Sequence, residues 1–181
     1  IRKITSSGVV TTLAGSGTIG SMDDTGTAAS FYSPTGVCSD AVGNIYVGDQ
    51  NNHIIRKITS AGVVTTFAGS GSNGSADGSG TAASFFGPRG VCSDAFGNIF
   101  VTEINNHKIR KITPDGLVTT IAGSGSPGNA DAAGTSASFY SPSGVYVDAS
   151  GNIFVADQSN HKIRKITQSS LDTVKLCSGN S

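Results

Sequence analysis

Residues 51–59 read Asn-Asn-His-Ile-Ile-Arg-Lys-Ile-Thr, and the chain repeats this stretch. Near-identical stretches occupy residues 105–113 and 159–167, and residues 1–5 match the last five positions of the motif. Self-similarity at a fixed period of this size is typical of a propeller, a solenoid or another repeat array. The corresponding isoleucines, each 54 positions apart without a gap, are Ile1, Ile55, Ile109 and Ile163.

Each copy contains short runs of β-branched and aromatic residues separated by turn-forming residues. In the first complete copy these runs predict strands at residues 36–40, 44–49, 53–59 and 63–68. A sheet of four strands cannot bury both faces alone, so neighbouring copies are expected to pack face to face. The turn residues are Asp40, which opens the first hairpin turn, and Gly43 and Gly36, for which we expect a positive φ.

A long Gly- and Ser-rich connector, such as residues 69–84, joins each copy to the next. A connector from an outer fourth strand to the first strand of the next sheet is what a propeller blade requires. Connectors of this length are uncommon unless they are functional or anchored. We therefore expect the Ala/Ser-Phe segments at residues 28–31, 82–85 and 136–139 to fill gaps between blades.

Four motifs of residues 1–167 together resemble NHL repeats: Asn-His-x, Pro-x-Gly-Val, Gly-Asn-Ile-aromatic-Val and Ile-Arg-Lys-Ile. The likeness is greatest to secreted NHL arrays with Ala-Gly-Ser-Gly connectors. One departure is the third letter of the first motif, where Ile54, Lys108 or Lys162 replaces the family's Leu. The resemblance implies an all-β fold, a β-propeller of four-stranded blades that is most often six-bladed and serves as a binding scaffold.

The period predicts three complete blades and a partial one, within a six-bladed ring or a longer array. Residues 168–177 align with a fourth strand but lack its Gly turn, as in a capping repeat. The partial blade has an open edge that upstream residues or a second copy of the chain would complete. The predicted divisions are the outer strands of the incomplete blade at 1–14, connector plus blade at 15–68, 69–122 and 123–176, and a tail at 177–181.

The charge balance, 12 basic against 12 acidic residues, favours neither nucleic acid nor an anionic membrane as a partner. Eight of the basic residues form the Arg-Lys pairs of the repeated motif, so we expect a basic stripe spread around the rim. No Trp accompanies it for base stacking, and nucleic-acid binding is not expected. No apolar run reaches the roughly 18 residues that a membrane span requires.

Two positions with titratable side chains recur in every blade. We expect the acidic position to cap the turn after the second strand, with a calcium-binding ring of acids as the alternative. We expect the histidine position to hydrogen-bond backbone and hold the hairpin, with an axial three-His metal site as the alternative. The acidic position comprises Asp49, Glu103 and Asp157, and the histidine position comprises His53, His107 and His161.

Catalytic signatures are missing from the sequence: it has no Ser-His-Asp order, phosphate-binding loop or Cys-x-x-Cys. The blades are also near copies, whereas propeller enzymes place unlike residues on different blades, so an enzyme is not expected. The connector acids lack the alternating pattern of a calcium loop, so no cofactor is predicted and calcium stays a weak alternative. These acids are Asp23, Asp24, Asp77 and Asp131.

Positions that differ between the copies are the expected place for a specific ligand. They lie in the Pro-x-Gly turn and just before the Asn pair, on loops at strand ends where binding residues concentrate. The ligand-face candidates are Thr35, Arg89 and Ser143, together with Gln50, Ile104 and Gln158.

Three cysteines and one sequon complete the candidate positions. Cys38 and Cys92 are equivalent and are expected to be buried thiols, although a disulfide stays open if their Cα atoms lie within about 7 Å. Cys177 lies alone in the tail and is a candidate for a bond to another part of a longer chain. Asn73 begins the Asn-Gly-Ser sequon and is a glycosylation candidate if the protein is secreted.

The sequence therefore predicts a non-enzymatic NHL-type propeller segment, extracellular or at the cell surface, that binds a protein or glycan ligand. The first alternative is a structural repeat subunit of an extracellular filament or surface assembly, which would self-associate through the open blade edge. The second alternative is a propeller lyase or hydrolase with an axial metal.

Overall fold

The computed structural model describes residues 1–167, which form antiparallel β-sheets. The partial blade consists of β1 (Arg2–Ile4) and β2 (Val10–Thr12). Blade 1 consists of β3 (Asp24–Thr25), β4 (Pro34–Ser39), β5 (Ile45–Asp49), β6 (Ile54–Ile58) and β7 (Val63–Ala68). Blade 2 consists of β8 (Gly78–Ser79), β9 (Pro88–Ser93), β10 (Ile99–Glu103), β11 (Lys108–Ile112) and β12 (Leu117–Ala122). Blade 3 contributes β13 (Pro142–Val147), β14 (Ile153–Asp157) and β15 (Lys162–Ile166). Single-turn 3₁₀ helices occupy Gly26–Ala28, Gln50–Asn52, Gly80–Ala82, Gly134–Ser136 and Gln158–Asn160.

Each blade is a meander of consecutive antiparallel strands, as the sequence predicts. In blade 1 the hydrogen-bonded order is β3-β7-β6-β5-β4, and blade 2 repeats it as β8-β12-β11-β10-β9. All four predicted strands of blade 1 are confirmed, and the fourth is observed with its predicted bounds, Val63–Ala68. Blades 1 and 2 each gain a fifth, two-residue strand because the preceding connector pairs with the outermost long strand.

The connectors also fill the spaces between blades. Phe85 is fully buried in an apolar cluster with Tyr46 and Ile55 of blade 1 and Ile99 and Val101 of blade 2. Phe31 and Phe139 occupy the corresponding positions in the preceding and following clusters. The expectation that the Ala/Ser-Phe segments fill these gaps is therefore confirmed.

The turn glycines divide into two kinds. Gly43 has the predicted left-handed conformation, with φ +87°, and the Asp40 Oδ1 atom accepts a hydrogen bond from the Asn44 backbone N–H at 2.8 Å. The prediction for Gly36 is wrong, because its φ is not positive. A Cβ atom at Gly36 would overlap the backbone oxygen of Arg89, so this glycine lets the first strands of two blades approach closely.

Blade 3 has one open face in the described part of the chain. The Ile163 side chain is 74% exposed, whereas the equivalent Ile55 and Ile109 are fully buried against the following blade. The predicted capping strand at residues 168–177, and with it Cys177 and the tail, lies outside the described residues.

Candidate functional site

The repeated arginine of each of blades 1 to 3 is buried and binds two carboxylates. In blade 2 the Arg110 Nη1 group donates hydrogen bonds to Glu103 Oε2 at 2.9 Å and to the Ser84 backbone oxygen at 3.1 Å. Its Nη2 group donates to Asp77 Oδ1 at 2.7 Å and to the Ala76 backbone oxygen at 2.8 Å. We call this arrangement the arginine clasp; its equivalents are Arg56 with Asp49 and Asp23, and Arg164 with Asp157 and Asp131.

The two carboxylates of a clasp differ in environment. Glu103 is fully buried, and burial raises the pKa of its carboxyl although the Arg110 charge acts in the opposite direction. The Asp77 side chain is half exposed and accepts hydrogen bonds from the backbone N–H and hydroxyl of Thr120. Burial acts to raise the pKa of Asp77, but these bonds and the Arg110 charge outweigh it, so that pKa is lowered. The clasp thus joins a buried acid on one strand to a solvent-facing acid on the connector.

The clasp bears on three predictions. The basic stripe is wrong for three of its four arginines, because Arg56 and Arg110 have no exposed side-chain surface and Arg164 is 9% exposed, whereas Arg2 is exposed. Asp49 and Asp157 do not cap the backbone of their 3₁₀ turns, but each accepts a hydrogen bond at 2.8 Å from the asparagine side chain of its turn, Asn52 or Asn160. Three of the four connector acids, Asp23, Asp77 and Asp131, are arginine partners, and Asp24 accepts a hydrogen bond from the Thr25 backbone N–H at 2.7 Å.

The repeated histidines of blades 1 and 2 hydrogen-bond backbone, as the sequence predicts, but that backbone belongs to the next blade and not to their own hairpin. His53 Nδ1 accepts a hydrogen bond from the Gly87 backbone N–H at 3.3 Å, and His107 Nδ1 accepts one from the Ser141 N–H at 3.1 Å. Burial lowers the pKa of His107, with the Asp157 charge opposing. His161 has the same left-handed backbone, φ +55°, and lies on the open side of blade 3. The acceptor role of Nδ1 requires a neutral imidazole.

Within residues 1–167, no group of three or more His, Cys, Asp or Glu side chains is arranged to hold a metal ion. Over the same residues, the structure contains no helix with the length and apolar character of a membrane span.

Strands β4, β9 and β13, the first long strand of each blade, line an open groove of about 590 Å³, which we call the inner-strand groove. The wall of the groove is formed by the last three residues, x-Gly-Val, of each Pro-x-Gly-Val motif. The lining residues are Thr35, Gly36 and Val37 of β4, Arg89, Gly90 and Val91 of β9, and Ser143, Gly144 and Val145 of β13.

Hydroxyl groups join adjacent blades along this groove. The Thr35 hydroxyl donates to the Arg89 backbone oxygen at 3.1 Å. The Thr102 hydroxyl accepts a hydrogen bond from the Gly90 N–H at 2.8 Å and donates to the Ser143 backbone oxygen at 3.0 Å. Thr102 was missed in the sequence, because its partners are backbone groups at two β-bulges, one in blade 2 and one in blade 3, that no local pattern reveals.

The six ligand-face candidates are only partly brought together. Thr35, Arg89 and Ser143 line the groove, and Arg89 Nη1 donates to Gln158 Oε1 of blade 3 at 3.0 Å. Gln50 and Ile104 lie outside the lining of the groove. The three valines of the groove, Val37, Val91 and Val145, were not predicted as ligand-binding positions, although their repetition in Pro-x-Gly-Val was a usable signal.

The remaining candidates are thiols and the sequon. Cys38 is half-buried and Cys92 is buried, and both are free thiols. Burial raises the pKa of each to about 12. Asn73 is exposed on the connector before blade 2. Its glycosylation stays a prediction.

Comparison with protein families gives a match to the NHL repeat at residues 31–58 and 139–166. The chain contains NHL repeats. Among curated relatives, SUPPRESSOR OF QUENCHING 1 of Arabidopsis thaliana is 39% identical over 80 residues, which are 44% of this chain and 8% of that protein. Human NHL repeat-containing protein 2 is 29% identical over 151 residues, which are 75% of this chain and 21% of that protein.

Solved structures resemble the NHL-repeat chain over a larger share of its length. A Bacteroides thetaiotaomicron protein of unknown function has a TM-score of 0.76 at 28% identity, covering 91% of this chain and 41% of that one. An auxiliary nutrient binding protein of the same organism has a TM-score of 0.65 at 25% identity, covering 77% and 38%. Virginiamycin B lyase of Staphylococcus aureus shares the fold, with a TM-score of 0.55 at 17% identity, covering 91% and 47%. The NHL-repeat chain spans less than half the length of each of these proteins.

Proposed function

We propose that the NHL-repeat chain is a non-enzymatic scaffold that binds a protein or glycan ligand in its inner-strand groove. The observation that carries this proposal is the convergence of three positions that differ between otherwise near-identical blades. Thr35, Arg89 and Ser143 all line that one groove. Positions that differ between repeats and meet on one surface of the framework are what a specific binding site requires.

The repeated polar groups support a scaffold rather than a catalyst. Glu103 accepts hydrogen bonds from Arg110, Asn106 and the Phe86 N–H, so both of its carboxylate oxygens already have structural partners. The histidine Nδ1 atoms of blades 1 and 2 accept backbone N–H groups of the following blades. The similarity to a nutrient-binding protein agrees with a binding role, while the lyase shares the fold alone.

A ligand screen with mapping tests the proposal. The isotopically labelled full chain is screened against a glycan library and candidate proteins, and each ligand found is mapped by backbone amide shifts. A double variant, Arg89→Thr with Ser143→Thr, gives all three blades the residue of blade 1. We expect it to fold normally and to bind at least about tenfold more weakly, about 1.4 kcal/mol. Ligands that map away from the groove, or that bind the double variant unchanged, would overturn the proposal.

We further propose an extracellular or cell-surface location, in line with the resemblance to secreted arrays. The exposed sequon at Asn73 provides a direct test. After secretion from eukaryotic cells, we expect the intact mass to fall in sugar-sized steps on enzymatic deglycosylation, and an Asn73→Gln variant to lack that change. An unmodified, efficiently secreted chain would contradict the glycoprotein prediction, and failure to pass through the secretory pathway would contradict the location.

A second candidate function is self-association, which the open face of blade 3 favours. Ile163 and Tyr146 are 74% and 63% exposed there, whereas Ile109 and Cys92 at the equivalent positions of blade 2 are buried. Light scattering across a concentration series should show a mass that rises with concentration, and Ile163→Ser should abolish the rise. A constant monomer mass would reject assembly and leave the binding scaffold.

A further inference from the structure

Arg89 differs from the clasp arginines in having a neutral partner. In residues 1–167 the ion pairs of arginine belong to the clasps, and Arg89 is in none of them. Its Nη1 group donates to the amide oxygen of Gln158 at 3.0 Å. A guanidinium has five N–H donors in a planar fork that matches carboxylate and phosphate oxygens. Among residues 1–167, therefore, no carboxylate lies within ion-pair distance of the Arg89 guanidinium.

The rest of the groove is uncharged and changes character along the strands. Its lining contains no acidic residue. Ser143 lies beside Arg89 at the polar end, and Val37, Val91 and Val145 follow two positions further along each strand. Two residues of extended chain span about 6.6 Å. Val37 is 56% exposed and Val145 is partly buried, whereas Val91 is 7% exposed and belongs to the core between blades 1 and 2, so Val37 supplies most of the accessible apolar surface of this wall.

A second cation lies at the same end. An adjoining cavity of about 260 Å³ shares Ser143 with the groove and is also lined by Gln158, by Lys162 and by the buried Asp157, whose carboxylate is paired with Arg164. Lys162 is exposed, so its contribution is a longer-range attraction for a negative group and not a fixed contact.

We infer that the inner-strand groove binds organic anions, with a carboxylate or phosphate group on the Arg89 guanidinium and an apolar body against the valines. This inference rests on the proposed function, because it names the ligand class of the same groove. Arg89 supplies a bidentate donor pair, and the valine wall selects ligands whose anionic group carries several carbon atoms. A bare inorganic anion meets only the first requirement, and a neutral amphiphile only the second.

Three probes separate these requirements. The labelled full chain is titrated with hexanoate, with hexan-1-ol and with inorganic phosphate, and amide and Arg89 Nε shifts are followed. We expect hexanoate to give saturable shifts at Arg89 and Val91, with an affinity at least about tenfold higher than that of either other probe.

Matched variants test the role of the guanidinium. Arg89→Thr places the blade 1 residue in blade 2, and we expect it to fold with an unchanged Tm while hexanoate affinity falls to that of hexan-1-ol. Arg89→Lys keeps the charge but loses the fork, and we expect an intermediate affinity. Lys3→Thr makes the same change of charge on the exposed strand β1, and hexanoate binding should stay as in the wild type.

The outcomes separate the inference from the proposed function. Equal binding of hexanoate and hexan-1-ol would overturn the role of the charge, and equal binding of hexanoate and phosphate would overturn the role of the valine wall. Absence of groove shifts with all three probes would overturn the whole inference. If screened ligands nevertheless map to the groove, the scaffold proposal survives that failure. If hexanoate binds at Arg89 while screened ligands map elsewhere, the inference survives and the scaffold proposal fails.

Discussion

Replacing Arg110 by methionine tests whether the clasp holds the blades through charge neutralisation. The variant leaves the Glu103 carboxylate fully buried with its main counter-charge removed. Breaking a buried ion pair by removing one partner costs about 3–5 kcal/mol. Asp77 also loses Arg110, but its carboxylate is half exposed and contributes less than about 1 kcal/mol. We expect Arg110→Met to lower the free energy of unfolding by about 3–5 kcal/mol.

Urea unfolding followed by circular dichroism measures this loss in the full chain. Methionine has a similar length and apolar stem, so a loss of packing alone would be small. The double variant Arg110→Met with Glu103→Gln removes the buried charge while keeping an acceptor for the Phe86 N–H. It should recover at least about half of the lost stability. Lys111→Met, at the next position of the same strand, is the control and should change stability by less than about 0.5 kcal/mol.

The pH dependence of the single variant gives a second check. Removal of Arg110 takes away the charge that lowers the pKa of Glu103, so burial raises that pKa further. A carboxyl with a raised pKa in the folded state binds its proton more tightly when folded, so its contribution to stability falls as pH rises. The gap in stability between Arg110→Met and wild type should therefore narrow from about pH 8 to pH 5. A loss below about 1 kcal/mol, or a gap independent of pH, would refute the reasoning.

Three further predictions concern the blade contacts. Gly36→Ala should destabilise by about 1–3 kcal/mol in urea unfolding because the new methyl overlaps backbone, whereas Gly144→Ala, whose Cβ would lie 3.4 Å from the nearest heavy atom, should cost under about 1 kcal/mol. His107→Phe should lower the free energy of unfolding by about 1–2 kcal/mol at pH 8, because the Ser141 backbone N–H loses its acceptor. Because the lowered pKa of His107 makes its protonation oppose folding, wild type should lose stability below about pH 6.5 more steeply than this variant; parallel curves would contradict that. In a Cys177→Ser variant, Cys38 and Cys92, with pKa values of about 12, should stay unreactive to a thiol reagent at pH 8 until the chain unfolds. Rapid labelling of the native protein would contradict the burial of these thiols.

The strands were predictable because their signals are local. Val63–Ala68 is a run of β-branched and apolar residues between two glycine turns, and such a run fits a half-buried pleated surface. Gly43 follows the same logic, since a hairpin turn needs a residue that tolerates positive φ. The close approach at Gly36 was not predictable, because the atom that excludes a side chain belongs to the neighbouring blade.

The clasp was missed for a similar physical reason. Arginine is seldom fully buried, so Arg56 in a strand was assigned to the rim. Its partner Asp23 lies 33 positions earlier, in a connector without secondary-structure signals of its own. The repetition was nevertheless visible, since one arginine and two acids recur in the same order and spacing in each of the three complete copies. Such a set of unlike charges is a signal for buried pairing.

The groove was half predictable. Variation between copies identified Thr35, Arg89 and Ser143, which the structure brings to one surface. The same criterion also selected Gln50 and Ile104, which lie outside it. Variation reports where sequence is free to change, and only the packing of first strands against one another decides which of those positions share a groove.

The spacing of the clasp contacts has a consequence for how such arrays change length in evolution. Every hydrogen bond of the Arg110 guanidinium joins residues at most 34 positions apart, which is less than one 54-residue period. Duplication or deletion of one whole period therefore carries a complete clasp with it and separates no arginine from its acids. Gene duplication can add or remove blades without redesigning any ion pair, and each new copy is then free to diverge at its groove position.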